Sequence, residues 1–75
     1  MNSVLVIWQQ AFDDGAWSAK VSTAPEMPNY VRHQIIDREG NVLTDMLVGL
    51  YPDLKDNIDS WISMGLAFMD ARNNS

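Results

Sequence analysis

The chain has 75 residues, 47 % hydrophobic and 20 % charged, with no cysteine and a single histidine. That composition fits one globular domain over residues 1–75 and excludes disulfides, thiolate zinc sites and histidine-rich metal centres. Ten acids against five bases leave a net charge of −5, the wrong sign for direct contact with nucleic acid or an anionic membrane surface.

Residues 3–12 (SVLVIWQQAF) carry Val4, Val6, Ile7, Trp8 and Phe12 and read as a strand, central in a sheet because both of its faces are apolar at the start. Asp13, Asp14 and Gly15 follow as a hairpin turn, since Gly adopts positive φ without strain and Asp tolerates it. Residues 16–23 (AWSAKVST) alternate, with Trp17, Ala19 and Val21 on one face and Ser18, Lys20 and Ser22 on the other, as in a half-buried antiparallel strand. The two prolines of residues 24–29 (APEMPN) stop the ladder, and the loop is long enough for a crossover.

Residues 30–36 (YVRHQII) alternate again, placing Val31, His33 and Ile35 together on one face and Tyr30, Arg32, Gln34 and Ile36 on the other. The DREGN stretch at 37–41 predicts a second turn, with a fourth strand starting at Asn41. Residues 44–51 are expected to finish that strand and then make one or two helical turns, with Thr44 as N-cap. Residues 53–72 hold the longest periodic segment. At 100° per residue, Leu54, Ile58, Trp61, Ile62, Gly65, Phe68 and Met69 share one face. Gly65 at the centre of that face suggests a close approach to the sheet. The whole reads as α+β: an antiparallel sheet of three to four strands with one long C-terminal helix packed on one face, in the order ββββα.

Little in this chain points to catalysis. No serine stands in a G-x-S-x-G context, and His33 has no nameable partner, so it reads as a sheet histidine and not a general base. Asp13 and Asp14 are turn residues whose side chains diverge. The stretch from Asp37 to Asn41 resembles the start of a calcium loop, but its Gly falls at the fourth position and no Glu occupies the twelfth. No metal, cofactor or phosphate-binding loop is expected. The apolar run Val4–Trp8 is too short for a signal sequence and has no basic residue before it, which predicts a cytoplasmic setting.

Binding is the remaining class. Asp56, Asp59 and Asp70 project on one outer face of the predicted helix, opposite the apolar stripe, and make an acidic ridge. Trp8 and Trp17 lie on neighbouring strands. With a helix on only one side of the sheet, one of them is expected on the open face as an anchor for a partner. Small size, acidity and absence of cysteine resemble, in composition alone, the small anti-restriction and anti-CRISPR proteins of mobile elements. That resemblance implies a non-enzymatic inhibitor or modulator that places Asp56, Asp59, Asp70, Trp8 and Trp17 against a protein partner with a basic groove. The alternative is a homodimeric structural or accessory module. A core this small supplies only about 3–5 kcal/mol, and with disulfides and metal excluded a second subunit is the staple that remains.

Overall fold

The computed structural model describes residues 3–74. These form an antiparallel sheet of β1 (Val6–Phe12), β2 (Trp17–Thr23), β3 (Tyr30–Asp37) and β4 (Val42–Gly49), followed by helix α1 (Leu54–Asn73) on one face. The strands lie in chain order, β1-β2-β3-β4, so the fold is the ββββα sandwich that the alternating and helical periods predict.

Each connection has a local cause. In the first turn Asp13, Asp14 and Gly15 all take positive φ, at 53°, 55° and 81°, and the Gly15 and Ala16 N–H groups donate to the Phe12 and Asp13 carbonyls. In the β3–β4 turn the Asp37 carboxylate accepts from the Glu39 and Asn41 N–H groups at 3.0 and 2.8 Å. Arg38 reaches from that turn to the Gly15 and Asp14 carbonyls, tying the two hairpin ends together. The proline-containing loop does not cross over. Its two successive tight bonds, Met27 N–H to Ala24 carbonyl and Tyr30 N–H to Met27 carbonyl, return the chain beside β2.

Three local expectations are corrected. The first strand is an edge strand, because a chain-order meander leaves its first member outermost. Residues 44–51 contain no helical turn. β4 continues to Gly49 because Thr44, Met46 and Val48 stay in register with Ile35, His33 and Val31. Within the predicted apolar stripe of α1, Leu54 is 66 % exposed, and the buried line runs instead through Asn57, Trp61 and Gly65, four residues apart. Asn57 occupies the inner position because it stitches the preceding loop. Its Nδ2 donates to the Tyr51 and Asp53 carbonyls, and its Oδ1 accepts from the Tyr51 N–H. Asp53 completes the helix start as N-cap, accepting from the Lys55 N–H at 2.9 Å.

The core lies between α1 and the faces of β2 and β3. Trp61 is 2 % exposed and packs with Val21 and Val31. Gly65 sits over Trp17 and Ile35, where a Cβ would come within 3.0 Å of the Trp17 ring and 3.2 Å of the Ile35 Cδ1. A side chain there would push the helix off the sheet, so the glycine sets the spacing of the two layers. No helix among the described residues is long and apolar enough to cross a membrane.

Candidate protein-binding surfaces

The tryptophans do not reach the open face. Trp8 pairs with Val21, and Phe12 with Trp17, across β1 and β2. The β1–β2 register therefore points both rings toward the helix. Trp17 is 5 % exposed and belongs to the core, with the Phe12 ring stacked on it at 4.3 Å and 11°. Trp8 is half-buried and meets Trp61 at 5.6 Å in a tilted arrangement. The expectation of a tryptophan anchor on the bare sheet is corrected accordingly. A turn of fixed geometry between two alternating strands determines which residues share a face, and here it assigns both rings to the core.

The acidic ridge is where the helical period puts it. Asp56, Asp59 and Asp70 are all exposed on α1, held outward because Asn57, Trp61 and Gly65 fix the opposite side. The three do not form one compact cluster. At a rise of about 1.5 Å per residue, Asp70 lies about 16 Å along the axis from Asp59. Lys55 Nζ contacts the Asp59 carboxylate at 2.9 Å, and that contact raises the lysine pKa. Asp70 accepts from the Asn74 amide at 3.1 Å. The ridge is thus a line of acids, with Asp56 and Asp70 outside any printed ion pair.

The open face of the sheet carries a second charged group that strand-by-strand reading missed. Arg32 pairs with Glu26 and, at 2.7 Å, with Asp45, and the Gln34 amide also donates to Asp45. The Arg32 guanidinium holds the Asp45 carboxyl below its usual range. The signal was present in the sequence: once β3 and β4 form a hairpin, Gln34 faces Asp45 directly and Arg32 is its diagonal neighbour. Its detection required the β4 register, which the expected helical turn at 44–51 obscured.

His33 sits under the helix at 1 % exposure. Its Nε2 lies 3.1 Å from the Trp61 carbonyl, which can only accept, so Nε2 carries the proton. Nδ1 is buried without a partner. Burial pushes the histidine pKa below its ordinary value, and the ring is a neutral strut between β3 and α1. Among the described residues, no group of His, Asp and Glu is placed to hold a metal ion. Comparison with protein-family models, with curated proteins and with solved structures returned no match.

Proposed function

We propose that this chain is a small acidic, non-enzymatic binding protein that inhibits or modulates a basic nucleic-acid-handling complex, in the manner of anti-CRISPR-like proteins of mobile elements. The observation that carries the reading is the outer face of α1. Asp56, Asp59 and Asp70 stay exposed on a helix whose inner face is anchored through Trp61 and Gly65. A line of carboxylates on a rigid helix can enter a groove built for a phosphate backbone, with long-range attraction speeding the encounter. The burial of the one imidazole against the Trp61 carbonyl supports a binding role over an imidazole-based reaction.

The test is capture of a basic partner from host lysate at low salt, followed by the triple charge reversal Asp56→Lys, Asp59→Lys and Asp70→Lys. Binding should weaken with rising salt and disappear in the triple variant. A partner retained unchanged by that variant would remove the ridge from the account, and the absence of any partner at low salt would remove the proposal. A homodimeric module is the second reading, favoured by the exposed apolar residues of β4.

A further inference from the structure

α1 shields the sheet unevenly. His33 and Met46 face each other across β3 and β4 and so share the helix-side face. His33 is 1 % exposed, whereas Met46, one strand further out, is 45 % exposed. The helix therefore stops short of β4. On the opposite face Leu47 and Val42 are exposed too. β4 has apolar side chains on both faces and contains no proline and no lysine, lacking devices that commonly blunt an edge strand. Its one charge, Asp45, is already balanced by Arg32. The other edge of the sheet is different, since β1 carries a bulge between Val6 and Trp8 and bulged edges resist pairing.

The backbone of β4 has a definite open side. The Leu50 N–H donates to the Asn29 carbonyl at 3.0 Å, next to the Tyr30–Gly49 pair. Hydrogen-bonding direction alternates along an antiparallel strand. Thr44, Met46 and Val48 therefore bond toward β3, and Asp45, Leu47 and Gly49 turn their N–H and carbonyl groups outward. The irregularity between Ile35 and Ile36 affects only the start of β4, at Leu43, so the stretch from Asp45 to Gly49 is regular.

We infer that this edge joins a second copy of the chain, β4 against β4 in antiparallel pairing about a two-fold axis at Leu47. The register is self-complementary. Leu47 meets the partner's Leu47, and Asp45 falls opposite the partner's Gly49, so the acids do not confront each other. On the helix side Met46 covers the partner's Val48, and Val48 covers the partner's Met46. A two-fold centred on Asp45 would set carboxylate against carboxylate. The pairing consumes both β4 edges and leaves the bulged β1 edges outermost, giving a closed dimer with a continuous eight-stranded sheet in place of an open fibre. The outer face of α1 is not part of this contact, so the dimer stands or falls independently of the acidic-ridge reading.

Sedimentation from micromolar to millimolar concentration tests it. The wild-type chain is expected to be a dimer, and Leu47→Pro a monomer over the same range. Proline at 47 removes an N–H that the β3–β4 ladder does not use, so the fold should persist by circular dichroism. Should L47P fail to fold, Leu47→Lys serves instead, placing two like charges on the axis. Geometry is checked by Leu47→Cys in this cysteine-free chain. Hydrogen-bonded partners lie about 5.5 Å apart at Cα, within disulfide reach, so L47C should crosslink quantitatively under mild oxidation and an exposed Gln9→Cys on the β1 edge should not. A strictly monomeric wild type, a folded L47P or L47K that stays dimeric, or equal crosslinking of L47C and Q9C would each overturn the inference.

Discussion

Across β2 and β3 the two faces of one sheet are built from different chemistry. On the helix side Trp17, Ala19, Val21, Val31, His33 and Ile35 are all buried, closed over by Trp61 and spaced by Gly65. On the open side Lys20, Arg32, Gln34 and Ile36 remain partly solvated, and Arg32 gathers Glu26 and Asp45. Apolar burial is proportional to area removed from water, whereas exposed ion pairs gain little because water screens them. Fold stability therefore belongs to one face, and the other is left able to vary or to bind.

The sharpest way to break this contrast is Trp61→Ala. Loss of a buried tryptophan costs about 3–5 kcal/mol, comparable to the whole net stability of a domain this small. The variant should lack a cooperative thermal transition, and a preserved melt would place the stabilising core elsewhere. Gly65→Ala comes next. Its Cβ would crowd the Trp17 and Ile35 side chains at 3.0 and 3.2 Å, an overpacking cost of about 1–3 kcal/mol against a helix-propensity gain of about 1 kcal/mol. The urea midpoint should fall; a rise would show that the layers can separate at no cost.

His33 adds a pH signature to the buried face. Its folded pKa lies below the ordinary 6.5, chiefly through burial, so the unfolded chain binds the proton more readily. Its contribution is complete above about pH 6.5 and declines as the pH falls from there toward the folded value. The carboxylates of Asp37 and Asp45 are held below their ordinary 3.8 and act only in the more acidic limb. Chemical denaturation between pH 7 and 5 should show stability falling in the wild type and a flatter profile in His33→Phe; equal slopes would remove the histidine from the effect. Asp45→Asn on the open face should give the smallest change. Its midpoint shift should shrink further as salt is added, since the pair with Arg32 is partly solvated.

Much of this arrangement was legible from period alone. The alternation of Trp17, Ala19 and Val21 and of Val31, His33 and Ile35 marked the buried face, and Gly65 marked the close approach. The readings that failed depended on contacts between elements. Leu54 has the right angle on the helix, but the loop needed Asn57 for its backbone groups, and that rotated the inner face. Trp8 and Trp17 could be placed on strands but not on a side, because the side follows from the turn and register between them. For the candidate surface, the acidic ridge follows from helical spacing within one element. The Glu26–Arg32–Asp45 group joins a loop and two strands, and becomes visible only once those strands are paired.

The chain-order meander also has a kinetic meaning. Every strand pairs with the strand next to it in the chain, so the sheet can assemble through closures of short loops, which cost little entropy and form quickly. The seating of α1 on β2 and β3 is the long-range step, because Trp61 must find Val21 and Val31 some 30 to 40 residues upstream. A conservative Trp61→Phe change should then speed unfolding more than it slows refolding in stopped-flow measurements. The opposite partition would mean that the helix docks before the hairpins are complete.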